Sequence, residues 1–95
     1  MAREPALVLV HGAFHGAWCW ERVVPLLEAR GIGCSAIDLH RGGLAEDTAA
    51  VQREVDLFAD AGHPVSAIGH SLGCAPLVLL EPARLAHLIL SLIHI

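Results

Sequence analysis

Apolar residues follow two alternating rhythms along the chain. Ala6-Leu7-Val8-Leu9-Val10 is an unbroken apolar run between Pro5 and Gly12, which predicts a strand buried on both faces. The glycine-containing stretch His11 to Ala17 reads as a loop. Trp18 to Arg30 then sets Trp20, Val23, Val24 and Leu27 at helical spacing. Pro25 lacks an N–H and clashes with the preceding turn, so the regular helix should begin near Val24. Gly31 suits the position just past its end. Ile32 to Leu39 carries a second buried strand, best placed at Cys34 to Ile37 and ending at Asp38. Leu44 to Ala61 is the clearest helix, with Leu44, Thr48, Val51, Val55 and Phe58 recurring on one face among charged residues. Gly62-His63-Pro64 stops it. Val65 to Gly69 is a third strand, Ser71 to Leu80 a short helix, and Leu85 to Leu90 a fourth strand.

Strand and helix thus alternate through the whole chain. That order predicts an α/β fold: about four parallel strands with right-handed crossovers and helices on both faces. Composition changes the picture in one respect. At 55% hydrophobic in 95 residues, the chain is too apolar to be disordered and unusually apolar for a complete small domain. A piece of something larger is expected. The net charge of −4 argues against a nucleic-acid or anionic-membrane partner. No apolar run approaches the roughly 18 residues of a membrane span, and the run before His11 is too short for a signal peptide. Cys19, Cys34 and Cys74 have no C-x-x-C spacing and read as reduced thiols, so a cytoplasmic setting is expected. The basic residues are all Arg, and Ala is abundant, a composition expected of a bacterial gene.

Gly69-His70-Ser71-Leu72-Gly73 matches G-x-S-x-G, with an apolar strand running in and a helix-like segment running out. The pattern suits a nucleophile, because a serine on a sharp strand-to-helix turn stands above the sheet and the flanking glycines leave room for the turn. The N–H of Leu72, at the new helix N-terminus, is then a donor to a developing oxyanion. A second donor is expected from the loop after the first strand, at the carboxyl edge where sheet ligands bind. There Gly12 permits close backbone approach, the N–H of Ala13 is the candidate donor, and Phe14 lines an acyl pocket or packs in the core. His70 is expected to line the pocket rather than act as a base.

These residues carry a resemblance. His11-Gly12-Ala13-Phe14-His15-Gly16-Ala17-Trp18-Cys19-Trp20, Pro25-Leu26-Leu27-Glu28-Ala29, Ala36-Ile37-Asp38-Leu39 and the elbow at Ser71 together resemble the α/β-hydrolase superfamily. The opening run is similar to the methyl-ester esterase and hydroxynitrile lyase branch. The resemblance implies an amino-terminal part of that fold, Ser71 as nucleophile, and Ala13 and Leu72 as oxyanion-hole donors. It implies a small-molecule ester as substrate and no cofactor. The lyases carry Thr in place of the Gly of the first motif and Glu-Ser-Cys at the elbow. Gly12 and His70-Ser71-Leu72 favour the esterase side.

Three features depart from the family. Cys74 stands where Gly is usual, which could tighten helix–strand packing. The segment from Ser71 to Pro82 is about a turn short. Most serious, the triad order is Ser, acid, His, yet Glu81 is the one acid after Ser71 and is expected far along the same helix. His87 falls in a strand, and His94 has no loop to present it. The fragment by itself is therefore expected to be inactive. A non-catalytic hydrolase-like binding scaffold is the alternative of a different class. His11 and His15 stand four apart but on a glycine-containing loop, so no metal site is expected. Asp38 could be the ribose-binding acid of a nucleotide fold, but the first loop lacks the Gly-x-Gly that a pyrophosphate needs. His40 and His63 are expected on exposed loops.

Residues 90–95, Leu-Ser-Leu-Ile-His-Ile, turn abruptly from the Ala- and Arg-rich sequence before them. They read as a translation of CTG TCT CTT ATA CAC ATC, which resembles a transposon end used as a sequencing-library adapter. Residues 1–89 are thus expected to be a partial domain and residues 90–95 an adapter-derived tail. The competing reading is a sixth-strand extension, since Ile and Leu suit a buried strand.

Overall fold

The computed structural model describes residues 4–12, 16–39, 42–70 and 74–91. Its strands are β1 (Ala6–Val10), β2 (Gly33–Ile37), β3 (Val65–His70) and β4 (His87–Ser91), and all pairings are parallel in the order β2-β1-β3-β4. The helices are α1 (Val24–Ala29), α2 (Leu44–Asp60) and α3 (Cys74–Leu77), with a 3-10 turn at Ala17–Trp20 and another at Pro82–Arg84.

The path runs from β1 to one side and returns across it to β3 and β4. Right-handed crossovers in opposite directions put α1 on one face and α2 and α3 on the other. Burial agrees with this division. Val8 and Val10 of β1 join Val65 and Ala67 of β3 in one core with Val51 and Val55 of α2 and Leu77 of α3. Register sets Val8 beside Ala67 and Ala6 beside Val65, so the α2 side is a continuous apolar floor. Leu9, of opposite parity, is buried on the other face. Buried on both faces, β1 shows no alternation in sequence, as a central parallel strand should not.

Both long connections end as their sequences predict. Pro25 sits in the first turn of α1, where its missing N–H costs nothing. Gly31, at φ +77°, follows the α1 C-cap, and Gly62, at φ +92°, follows that of α2. In α2 the Gly62 N–H donates to the Ala59 carbonyl and the His63 N–H to the Phe58 carbonyl, both at 3.0 Å. That pair is a Schellman motif, which needs a left-handed residue at the glycine. The His63 and Phe58 rings meet edge-on, 5.9 Å between centroids, supplying the side-chain contact that accompanies the motif.

Several expectations are corrected. His63 is half-buried rather than exposed, and its Nδ1 lies 2.7 Å from the Glu4 carbonyl. Leu44, placed on the buried face of α2, is exposed, and Ala50 takes a core position instead. The regular helix of α3 ends at Leu77 rather than Leu80. Pro76 contributes no N–H, and the following turns tighten to three-residue bonds, Leu79 N–H to Pro76 and Leu80 N–H to Leu77. Glu81 is consequently off the helix. It caps the Pro82–Arg84 turn, its carboxylate accepting from the Ala83 N–H at 3.3 Å. The fourth strand begins at His87 rather than Leu85 and runs through Leu90 and Ser91, still in register with Gly69 and His70. His40 and residues 92–95, His94 among them, lie outside the described residues.

Candidate active site

Strands β1 and β3 are neighbours in parallel, with Val10 paired to Gly69. They therefore end at the same level of the sheet. Beyond that level their connections part, one leading to β2 and the other to β4 on the far side. Such a divergence opens a crevice at the carboxyl ends of the two strands, the usual ligand position in open α/β sheets. His11-Gly12 leaves β1 here, and Ser71 directly follows His70, the last residue of β3. Gly12 is buried and His70 half-buried. Ala13, Phe14, Ser71 and Leu72 lie outside the described residues.

His11 is fully buried, 0% exposed. The Leu39 N–H donates to its Nε2 at 2.8 Å, and its Nδ1 lies 2.7 Å from the Gly12 carbonyl. One nitrogen accepts and the other faces an acceptor, so the network assigns the proton to Nδ1. The ring is thus a brace across the ends of β1 and β2. Five residues on, the Ala17 N–H donates to Asp38 Oδ1 at 2.6 Å, a charge-assisted bond. Asp38, weighed from sequence as a ribose ligand, instead holds the far end of the first loop. Gly16 between them is buried, and a Cβ there would fall 2.9 Å from Trp18 Cδ1 and 3.1 Å from Asp38 Oδ1. Only glycine lets the indole and the carboxylate close over the backbone.

The end of β3 is tied to the start of α3. Cys74, the first described residue of α3, is buried and directs its thiol to the Gly69 carbonyl at 3.5 Å. The unusual cysteine therefore fits, and it tightens the helix onto the strand as expected. No disulfide joins Cys19, Cys34 and Cys74. Burial pushes the Cys19 and Cys34 thiols up, with Glu28 adding to the shift at Cys34, so neither is an activated thiolate.

Neither described group after Ser71 reaches the strand ends. Glu81 is engaged with Ala83 and, through its N–H, with Gln52 Oε1 at 2.8 Å. His87 pairs with Ser66, four residues before His70, or about 13 Å down the sheet at the usual strand rise. Beside the crevice, a cavity of about 400 Å³ opens between Leu39, Gly42, Gly43, Leu44, Asp47, Ala75 and Pro76. The sequence reading missed the bracing roles of His11 and Asp38. The available signal was a polar residue at each strand end, flanked by apolar ones.

Comparison with known proteins agrees with this geometry. Residues 7–93 match the model of the alpha/beta hydrolase family. Methylesterase 2 of Arabidopsis thaliana is 38% identical over 90 residues, covering 81% of this chain and 34% of its own. Norfluorocurarine synthase 1 of Strychnos nux-vomica is 39% identical over 84 residues, covering 75% of this chain and 30% of its own. Among solved structures, a polyneuridine aldehyde esterase variant superposes with TM-score 0.79 at 25% identity, over 93% of this chain and 40% of that one. A pyrethroid hydrolase from Sphingobium faniae gives TM-score 0.72 at 36% identity, over 93% and 39%. The chain spans about a third of the length of the curated relatives it matches. With four parallel strands and the crevice above β1 and β3, this chain belongs to the alpha/beta hydrolase family and forms part of that fold.

Proposed function

We propose that this segment carries the nucleophile and oxyanion hole of a carboxylic-ester hydrolase. The observation that carries the reading is the register of β1 and β3, which brings the His11-Gly12 strand end and the strand end before Ser71 to one level of the sheet. The esterase names of its relatives support the same class, and methyl esters are the first substrates to try. Ser71 Oγ attacks the ester carbonyl and gives its proton to a histidine base. Charge collects on the carbonyl oxygen, held by the N–H groups of Ala13 and Leu72. Collapse expels the alcohol and leaves an acyl-Ser71 ester, which water hydrolyses. Gly12, Phe14 and His70 line the acyl side. The triad base and acid come from outside these 95 residues, and the setting is a bacterial cytoplasm.

A fluorophosphonate probe tests the nucleophile. In a complete protein carrying this segment, labelling should fall on Ser71 and vanish in Ser71→Ala. Persistent labelling at another residue would overturn the assignment and favour a non-catalytic scaffold. Ala13→Ser should be mild, whereas Ala13→Pro should cost about 10²–10³ in turnover, the usual loss for one oxyanion donor. The 95-residue chain alone should show no saturable turnover of p-nitrophenyl acetate. A site lacking a triad member keeps only about 10³–10⁴-fold over water.

A further inference from the structure

The segment from Gly12 to Gly16 is tied down at both ends to one place, the carboxyl end of β2. At its start, His11 Nε2 accepts from the Leu39 N–H at 2.8 Å. At its finish, Asp38 Oδ1 accepts from the Ala17 N–H at 2.6 Å. The two anchors, Asp38 and Leu39, are consecutive. His11 is fully buried and Leu39 nearly so, so the first bond is shielded from water and costly to break. The second is short and accepted by a carboxylate on an exposed side chain, and a Cβ on the neighbouring Gly16 would meet Trp18 and Asp38. A loop fixed at one end alone can pivot about that end. Here both described ends are held, by Asp38 and Leu39 just past β2.

From this geometry we infer that His11 and Asp38 are positioning residues, a two-point clamp that fixes the two ends of the first loop, His11-Gly12 and Ala17, against the carboxyl end of β2. The inference rests on the reading of Ala13 as an oxyanion donor. Preorganised donors help only if they need not be rearranged as charge develops, and this clamp supplies the rigidity. Asp38 acts through Ala17, and His11 acts through Leu39 and its own Gly12 carbonyl.

Two measurements separate the clamp from the function: amide exchange on the 95-residue chain, and labelling on a complete protein that carries this segment with its base and acid. The first is hydrogen–deuterium exchange read by mass spectrometry, which tolerates self-association. Asp38→Ala should speed exchange at the Ala17 amide about ten-fold or more, with Leu9 in β1 and Val55 in α2 unchanged. Asp38→Asn keeps an accepting oxygen and should restore most of the protection. His11→Leu should free the Leu39 amide, and His11→Gln, whose amide oxygen can take the place of Nε2, should restore it. If His11→Leu does not fold, the Asp38 pair decides the matter. Unchanged exchange at Ala17 in Asp38→Ala overturns the clamp.

The second measurement is the rate of fluorophosphonate addition to Ser71 against probe concentration. Asp38→Ala should slow the bond-forming step about ten-fold or more, up to the roughly 10²–10³ of losing an oxyanion donor outright, while half-saturation stays put. Asp38→Asn should recover it. Faster Ala17 exchange with an unchanged bond-forming rate overturns the positioning role and leaves a purely structural bond. An unaltered complete protein that never labels at Ser71 refutes the nucleophile reading instead, and exchange alone then judges the clamp.

Discussion

Strands β1 and β4 are spelled in much the same alphabet and live in opposite surroundings. Ala6-Leu7-Val8-Leu9-Val10 is flanked by a strand on each side and covered on both faces, with Ala6, Val8, Leu9 and Val10 all buried. Leu88, Ile89 and Leu90 point alternately to the two faces of the sheet edge, and all three are exposed, Ile89 at 49%. Hydrophobicity along a strand therefore reports the cover it is suited to. The cover it has depends on the elements on either side. Among the described residues the exposed strand is apolar and has no neighbour along one edge, the arrangement that templates association between chains.

The sharpest way to break the comparison is to put one charge into each region. Val55→Asp, at a position with 0% exposure beneath β1, should abolish cooperative folding, because an unpaired buried carboxylate has no compensating partner. Ile89→Asp on β4 should leave the circular dichroism spectrum intact and move the chain toward monomer in size-exclusion chromatography. A sharp monomer peak for the unaltered chain would contradict this account of the edge. Next in size are truncations. Leu77→Ala, 1% exposed, should cost about 2–5 kcal/mol in urea unfolding. Leu88→Ala, at 42% exposure, should cost less than about 1 kcal/mol.

Smaller effects sharpen the boundary between element and environment. Gly62→Ala forces a Cβ into φ +92° and should cost about 1–2 kcal/mol in the same unfolding measurement. Cys34 should react with iodoacetamide more slowly at pH 8 than a free cysteine. Reaction runs through the thiolate, and burial and Glu28 raise the pKa, so the rate should climb as pH passes that raised value. The smallest change is expected at Arg84. Its guanidinium bridges Asp56 at 3.2 Å and Asp60 at 2.7 Å on an exposed surface. Arg84→Gln should leave the unfolding midpoint unchanged within error, because solvent screens such pairs.

The fold was largely legible before any coordinates. The apolar run at β1, the helical stripe of α2 and the stops at Gly31 and Gly62 are local signals, and each element lies within a few residues of its expected place. The end of α3 was less legible. Whether Val78 to Leu80 continue a helix depends on how the chain must turn to reach β4, and no periodicity records that. The candidate nucleophile was legible as a motif because a strained turn needs particular residues at particular positions.

By itself the sequence determined the order of elements, the parallel sheet they imply, and the segments that bear the candidate chemistry. These rest on backbone propensity and side-chain periodicity, which act over a few residues. Only the tertiary structure decided what His11 and Asp38 do. In sequence, His11 was open to a ligand role and Asp38 to a ribose. In the fold, their partners include the backbone amides of Leu39 and Ala17, 28 and 21 residues away. An amide N–H carries no mark of its partner in the sequence. Strand order and register bring it within reach of a distant side chain, and until the sheet is assembled a buried histidine brace and a free histidine are written with the same letter.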